Sequence, residues 1–240
     1  MDVVVIYKWS RRPEDARVRA DGSVDWGTVK NVATDDDAAA IAAAVGVAGA
    51  TEGSVTGVTI GDGDVSWALA RGAATAVSVT DAVRSEDQLA VADWIVAGVR
   101  HASEAPALIV MGDTREHAGV AAAVAARLGL PALLGVGDLA VEDGRVLAHR
   151  TIGSEQETIA VTGPAIIGIT ARAAEKKAPG MKEMLAARKR PVDRIEVGSA
   201  PSGVVELVAT REAPGRTATI FQGETAAADL VAALRTEGAL

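Results

Sequence analysis

Short runs rich in β-branched residues alternate along this chain with longer, alanine-rich runs. The β-branched runs are DVVVIYKW, VTGVTI, ATAVSVTD and ALIVMG, and the runs between them include DDDAAAIAAAVGVAG and EDQLAVADWIVAGVRH. A strand, a helix and a second strand in succession imply parallel strands joined by right-handed crossovers. We therefore predict an α/β fold with a doubly wound, mostly parallel sheet and helices on both of its faces.

The composition agrees with this fold class. Of the 240 residues, 49% are apolar but only 2% are aromatic, so the core must consist of Ala, Val, Ile and Leu. Such residues suit helices that pack on a sheet rich in Val and Ile. A chain of this length can bury a sizeable core without disulfides or metals to hold it together.

The pattern changes after Pro131. VEDGRV has the form of a hairpin with Asp143 and Gly144 at its turn, so we predict an antiparallel addition to the parallel sheet. A further strand, VDRIEV, a link of Gly, Pro and Ser, and a closing helix, ETAAADLVAALRTEG, follow. We expect an α/β nucleotide-binding-type domain over residues 1–190 and a C-terminal arm with a helix over residues 191–240.

Composition also excludes several kinds of protein. The chain has no cysteine, which rules out disulfides, thiolate metal sites and a cysteine nucleophile. It has no apolar span of about 18 residues and no basic segment at its start, so we expect a cytoplasmic protein without membrane insertion. Its net charge of -8 argues against a nucleic-acid partner.

Three loops at predicted strand ends are candidates for holding a phosphate. GDGD, residues 61–64, lacks the third glycine of a dinucleotide fingerprint, and a tight turn is the alternative. GDTREHAGV places Gly112 at a strand end and Gly119 near a helix start, where backbone amides favour anions; a solvated loop is the alternative. The third is the end of the first predicted strand, IYKW, where Lys8 could face a ligand or water. No histidine has metal-ligand spacing, and no catalytic motif is present.

A basic segment tipped by a methionine stands out in this acidic chain. In EKKAPGMKEMLAARKRP, residues 175–191, six of the seventeen residues are Lys or Arg, and Met181 follows a Pro-Gly pair. A flexible thioether fills irregular pockets, and cations steer toward acidic surfaces, so the segment has the chemistry of a docking surface. The alternative is that Met181 folds back onto its own helix.

Taken together, these motifs resemble the beta subunit of electron transfer flavoproteins over nearly the whole chain. YKW is similar to the family's first strand end, although Trp9 replaces a basic residue, and ATDDDAAAIAAAV resembles a helix start in which Thr34 replaces Asn. MKEMLAARKRPVDRI is the best match, to the family signature L-P-x-I-M-x-A-K-K-K-x-I. APGRTATIFQGETAAADLVAALRTEG resembles the family's tail, with Arg216 and Thr217 at matching positions.

The resemblance implies a Rossmann-like fold of the adenine-nucleotide-binding type and an electron carrier without substrate turnover. It further implies a heterodimer with an alpha subunit that holds most of the contacts to FAD, and docking to flavoprotein dehydrogenases. AMP is the usual nucleotide of the family, but the loop after ALIVMG is shorter here and lacks most of the family pattern. The arm from residue 191 would contact the alpha subunit.

The resemblance also assigns residues to two sites. The implied cofactor-binding residues are Ile6, Lys8, Thr34, Asp37, Ile60, Gly61, Gly112, Thr114, His117 and Gly119. The implied partner-docking residues are Met181, as apolar anchor, with Lys182, Met184, Leu185, Arg188, Lys189 and Arg190. The competing interpretation is a free-standing adenine-nucleotide-binding module, related in fold to universal stress proteins, that binds ATP or AMP without flavin.

Overall fold

The computed structural model describes residues 1–85, 87–113, 118–171, 178–198, 208–215 and 217–240. Within these ranges the strands are β1 Val3–Ile6, β2 Ser10–Arg11, β3 Arg17–Val18, β4 Val24–Asp25, β5 Asn31–Val32, β6 Val55–Ile60, β7 Thr75–Val79, β8 Leu108–Gly112, β9 Ala132–Glu142, β10 Arg145–Ile152, β11 Glu155–Val161, β12 Ile166–Ile169 and β13 Asp193–Ile195. The helices are α1 Asp35–Ala50, α2 Ser66–Leu69, α3 Gln88–Ala102, α4 Val120–Leu128, α5 Met181–Ala187 and α6 Ala226–Thr236.

A nine-stranded sheet organises the fold, in the order β11-β10-β9-β12-β8-β1-β6-β7-β13. The seven strands β9-β12-β8-β1-β6-β7-β13 run parallel to one another, and β10 pairs antiparallel with both β9 and β11. The predicted α/β class, with a mostly parallel sheet and an antiparallel addition, is confirmed. Short two-stranded pairs, β2 with β5 and β3 with β4, lie outside this sheet.

The central strands are buried on both faces because helices cover both sides of the sheet. Every residue of β1, β8 and β12 is buried. Successive β1 residues point to opposite faces, so Val3 and Val5 join one apolar cluster with α1, while Val4 and Ile6 join another with α3 and α4. Uninterrupted Val and Ile runs are what such doubly covered strands require.

Local sequence accounts for the ends of the helices. Thr34 caps α1 and shares a capping box with Asp37, and the three aspartates of the first turn favour the positive end of the helix. Asp87 caps α3 by accepting from two backbone amides. Gly129 ends α4 at φ 68°, a left-handed conformation that costs glycine little.

The predicted hairpin after Pro131 is also confirmed. Glu142 pairs with Arg145 across the turn from β9 to β10, and Asp143 and Gly144 adopt φ values of 50° and 74°. Two positive φ angles match the right-handed twist of the flanking strands, so the Asp-Gly pair fixes the register.

The chain divides into two compact units. The first comprises residues 1–17 and 25–208 and holds the nine-stranded sheet. The second comprises residues 18–24 and 209–240; in it, Ser23 bridges to Arg211, and the amide of Glu212 donates to the carbonyl of Gly22. No residue of α6, which is described throughout, is buried. The domain boundary at residue 190 stays a prediction.

Candidate functional site

The order of the strands reverses between β1 and β8. The chain leaves β1 through α1 and returns in β6 on one side of β1, and it leaves β7 through α3 and returns in β8 on the other side. In doubly wound sheets, ligands bind outside the carboxyl ends of the strands at such a reversal. Lys8 follows β1 at this edge and Gly112 ends β8, so two of the predicted cofactor residues meet there.

The Lys8 side chain at this reversal is turned into the protein and is only 2% exposed. Its Nζ donates to the carbonyl oxygen of Gly112 at 3.1 Å and lies 3.6 Å from Oδ1 of Asp37, which is fully buried. The ammonium group of Lys8 contacts the carboxylate of Asp37 and the carbonyl of Gly112, so the alternative in which it faces water does not hold in this structure. A ligand contact of Lys8 stays a prediction.

Both carboxylate oxygens of Asp37 have partners within the protein. Oδ2 accepts from the amide and the hydroxyl of Thr34 at 3.0 and 2.7 Å, and Oδ1 accepts from the amide of Lys8 at 3.4 Å. The first turn of α1 also lies close against β8, because a Cβ on Gly112 would come within 2.7 Å of the Asp37 nitrogen. Only glycine therefore fits at position 112 without displacing α1.

Side chains of the protein also accept hydrogen bonds from backbone amides at this edge. Gln88 Oε1 accepts from the amide of Gly119 at the start of α4, at 2.6 Å. Asp36 Oδ1 accepts from the amide of Ala171, at 2.6 Å. Helix starts and loop amides are the groups that commonly bind phosphate, and in both of these cases the acceptor belongs to the chain itself.

An open cleft of about 530 Å³ lies next to the reversal, at the carboxyl ends of β1, β6 and β7. Its lining includes Lys8, Trp9, Ser10, Arg11, Ile60, Gly61 and Arg84. Ser10 Oγ and Arg11 Nε are buried, and neither atom has a hydrogen-bond partner among the described residues. Buried polar atoms are nearly always paired, so these two fit the polar edge of a ligand or ordered water.

Aromatic rings cluster on one side of the cleft. The ring of Tyr7 stacks on Trp67 with centroids 5.2 Å apart, and Trp9 meets both rings edge-on. The Tyr7 hydroxyl donates to the carbonyl of Val65 at 2.9 Å, and the Trp9 indole N–H donates to the Thr59 hydroxyl at 3.1 Å. These hydrogen bonds fix the orientation of two of the rings.

Charge and burial act on this aromatic cluster together. Burial raises the pKa of Tyr7, and the nearby carboxylate of Asp64 raises it further. The guanidinium of Arg71 lies 3.9 Å from the centroid of the Trp67 ring, a cation–π contact. Burial lowers the pKa of Arg71, and Asp64 opposes that shift.

Helix α5 exposes an apolar tip within a basic segment. Met181 is 68% exposed, Leu185 52% and Met184 36%. Lys182, Arg188 and Lys189 are exposed on the same segment. The alternative in which Met181 folds back onto its own helix does not hold in this structure.

Two contacts hold this helix on the protein. Ala187 is 2% exposed and joins the apolar cluster on the α1 face of the sheet. Arg190 donates from one guanidinium nitrogen to the carbonyl of Ala73 at 3.0 Å and from the other to the carbonyl of Ala74. The guanidinium of Arg190 is therefore engaged by its own chain.

A second, wider groove of about 850 Å³ runs beside α5. Small residues of α1 form one wall, and Gly137, Asp138 and Leu139 of β9 form another. Ala178, Pro179 and Glu183, at and just before the start of α5, also line it.

Comparison with known proteins gives one consistent result. A family model of the electron transfer flavoprotein domain matches residues 25–200. Proteins named electron transfer flavoprotein subunit beta from Mycobacterium tuberculosis and Mycobacterium bovis are each 29% identical over 184 residues, which is 70% of this chain and 69% of theirs. The relative from Mycobacterium leprae has the same identity and coverage.

The chain belongs to the electron transfer flavoprotein beta family. The family model spans most of the chain and the relatives are named as beta subunits, so the resemblance found in the sequence is confirmed. The parallel sheet with its antiparallel hairpins is consistent with the electron transfer flavoprotein domain.

The residues predicted to bind a cofactor lie in separate parts of the structure. Those gathered around the strand reversal are Ile6, Lys8, Thr34, Asp37 and Gly112, and Ile6, Lys8, Asp37 and Gly112 are buried. Ile60 and Gly61 line the open cleft, and Gly119 begins α4. Thr114 and His117, and Arg216 of the predicted tail, lie outside the described residues. The roles of all these residues in binding stay predictions.

Sequence reasoning did not identify Gln88, the Tyr7–Trp67 stack or the unpaired atoms of Ser10 and Arg11. A signal existed for the rings, because aromatic residues make up only 2% of the chain and two of them stand at positions 7 and 9. No local signal existed for Gln88, whose partner Gly119 is 31 residues away in the sequence.

Among the helices in the described ranges, none combines the length and the apolar character needed to cross a membrane.

Proposed function

We propose that this chain is the beta subunit of a heterodimeric electron transfer flavoprotein. It accepts electrons from flavoprotein dehydrogenases and passes them on through FAD that an alpha subunit mainly holds. Family membership supports the class of protein. The exposed apolar tip of α5, carried on an anchored helix, is the observation that supports docking.

The tip has the properties of an interaction hot spot. Three apolar side chains on one short helix, Met181, Met184 and Leu185, are 36% to 68% exposed. Unbranched methionines adapt to pockets of different shape, which suits a carrier that serves several dehydrogenases. The exposed Lys182 and Lys189 nearby attract acidic surfaces and speed encounter.

The open cleft is where this chain fits a cofactor carried by its partner. FAD supplies the redox chemistry by taking up and releasing electrons. The unpaired Ser10 hydroxyl and Arg11 Nε of this chain fit hydrogen-bonding atoms of such a group, and Trp9 offers a flat apolar wall. The chain itself turns over no substrate and works as an electron carrier subunit.

The C-terminal arm is proposed to contact the alpha subunit. Leu230 is 45% and Val231 38% exposed on α6. These two exposed branched residues would offer an apolar contact to a partner. A cytoplasmic location stays a prediction, and the comparisons give no support to a free-standing module of the universal stress type.

The docking role is tested with Met181→Ala in the complex with the alpha subunit. Truncating a hot-spot side chain costs about 2 kcal/mol, so the second-order rate of electron transfer from a cognate dehydrogenase should fall roughly 30-fold. Leu89→Ala, which truncates an exposed leucine of α3, is the matched control and should leave the rate unchanged. An unaltered rate for Met181→Ala would refute the anchor role.

Flavin binding is tested separately, by the visible absorption spectrum of the chain purified together with its alpha-type partner. A flavin spectrum is expected for that complex. A colourless complex would contradict the proposed function, whatever the result with Met181→Ala.

A further inference from the structure

We propose that the start of the C-terminal arm acts as a latch on a segment that lines the open cleft. This wall segment, residues 10–32, leaves the cleft and returns to it, and its outer loop, residues 18–24, is bonded to Arg211 and Glu212. Loss of the latch loosens the wall segment, so binding at the arm and ligand binding in the cleft are linked.

The wall segment begins and ends at the cleft. Ser10 and Arg11, at its start, and Asn31, near its end, all line the cleft. They belong to the pair of β2 with β5, in which Ser10 lies opposite Val32 and Arg11 opposite Asn31. This pair, which we call the base, also carries the two buried polar atoms without described partners, Ser10 Oγ and Arg11 Nε. A ligand that satisfies these atoms therefore contacts the wall segment itself.

The base is built from short elements. Strands β2 and β5 have two residues each and lie outside the nine-stranded sheet. Asn31 Nδ2 donates to Asp62 Oδ1 at 3.3 Å, in an exposed hydrogen bond. Short pairings and exposed hydrogen bonds are typical of regions that open at low cost in free energy. A restraint elsewhere on the wall segment can therefore change how often the base opens.

The latch is a contact between two backbone segments. The amide of Glu212 donates to the carbonyl oxygen of Gly22 at 3.2 Å, and Ser23 forms an antiparallel bridge with Arg211. Asp21 shapes the turn that presents this carbonyl, because its Oδ1 accepts from the amide and the hydroxyl of Ser23 at 2.9 and 2.7 Å. The outer loop thus offers a formed turn to the arm.

Local hydrogen bonds order the two connections between the outer loop and the base. On one side the amide of Asp15 donates to the carbonyl of Arg12 in a single turn of 3-10 helix. On the other side Asp25 Oδ1 accepts from the amide of Gly27 at 2.9 Å. Strands β3 and β4 pair with each other between these turns. A restraint on the outer loop reaches the base because the connecting chain is short and folded.

The latch gives the arm a role in holding the cofactor, a consequence that rests on the proposed function. A partner that fixes the arm in its latched position stabilises the wall segment, and a ligand in the cleft stabilises the latched arm in return. Such linkage is reciprocal for binding free energies. The chain then retains a cleft ligand more tightly when it is assembled with its partner.

The first test is amide hydrogen exchange of the full chain carrying Glu212→Pro, which removes the donor of the latch. Losing one net hydrogen bond should speed exchange at residues 10–11 and 31–32 about five-fold. Ala213→Pro introduces the same residue one position later, at an exposed alanine, and is the matched control. Strands β1 and β8 should exchange equally in both variants. Equal exchange of the base in both variants would overturn the proposal.

The second test approaches the latch from the outer loop. Asp21→Ala removes the acceptor that shapes the turn, and it should speed exchange of the base as Glu212→Pro does. The double variant should exchange no faster than the faster single variant, because one latch is lost only once. Additive effects would show that the two residues act on separate features, which contradicts the proposal.

The link to the cofactor is tested in the complex with the alpha-type partner, by the rate at which FAD is released after dilution. Glu212→Pro should release FAD about five-fold faster than Ala213→Pro, in keeping with one lost hydrogen bond. Equal release rates would refute the link between arm and cleft. A complex that never contains flavin would contradict the proposed function, and hydrogen exchange of the chain by itself would still decide whether the latch exists.

Discussion

The ammonium of Lys8 lies 3.6 Å from the carboxylate of Asp37, and the two side chains are 2% and 0% exposed. The pair joins the end of the first strand to the first turn of the first helix, at the point where the strand order reverses. A charged pair in this position makes the edge of the sheet sensitive to loss of either partner.

Lys8→Met should destabilise the protein by about 3–5 kcal/mol, because it leaves the Asp37 carboxylate buried without its cation. The free energy of unfolding is measured by urea denaturation. The double variant Lys8→Met/Asp37→Asn should recover a large part of the loss, since no buried charge remains. Lys30→Met, at an exposed lysine, is the control and should stay within about 0.5 kcal/mol of the native value. If Lys8→Met were as stable as Lys30→Met, the proposed role of the ion pair would be contradicted.

Tyr7 should titrate at higher pH in the folded chain than in the unfolded chain, because burial and then Asp64 raise its pKa. As the only tyrosine, it alone gives the near-ultraviolet phenolate signal. In urea the midpoint should lie near the ordinary value of about 10. Buried, protonated Tyr7 contributes its full stabilisation below the unfolded pKa, and this stabilisation is lost as pH rises through the higher folded pKa. Equal midpoints with and without urea would show that Tyr7 is not held as described.

Gly63→Ala should disturb the aromatic cluster, because the new Cβ would lie 1.8 Å from Nε1 of Trp9. The indole would have to leave its hydrogen bond with Thr59, at a cost of about 1–3 kcal/mol for overpacking. Urea denaturation, followed by tryptophan fluorescence, measures this change in the free energy of unfolding. Gly49→Ala is the matched control: nothing lies within 4 Å of its new Cβ, and alanine favours a helix, so stability should hold or rise.

Arg190→Gln should loosen α5 without unfolding the sheet. The variant removes the guanidinium contacts to the carbonyls of Ala73 and Ala74, leaving Ala187 as the remaining anchor described for the helix. Amide hydrogen exchange within residues 181–187 should become faster, while the exchange of β1 and β8 is unchanged. Arg188→Gln, at an exposed position of the same segment, is the control. Equal exchange in the two variants would argue against anchoring by Arg190.

Much of the fold followed from the sequence because its signals act over a few residues. The Val and Ile runs predicted buried parallel strands, the aspartates after Thr34 predicted a helix start, and Asp143 with Gly144 predicted a hairpin. Each signal depends on side-chain alternation, capping or backbone conformation within one element. The exposed tip at Met181 was predicted from an apolar residue beside a Pro-Gly pair in a basic segment, and from the family resemblance.

The candidate site was less predictable, since its groups come together only when the elements pack. The sequence by itself determined which segments become strands and helices, and it carried enough of the family's pattern to identify the chain. Only the tertiary structure decided that Lys8 turns inward to Asp37, that Gln88 reaches Gly119, and that Arg190 holds carbonyls more than a hundred residues earlier. The physical reason is range: periodicity and caps act between neighbours, whereas these contacts join groups 29, 31 and 117 residues apart, and which groups meet is set by the packing of helices on the sheet.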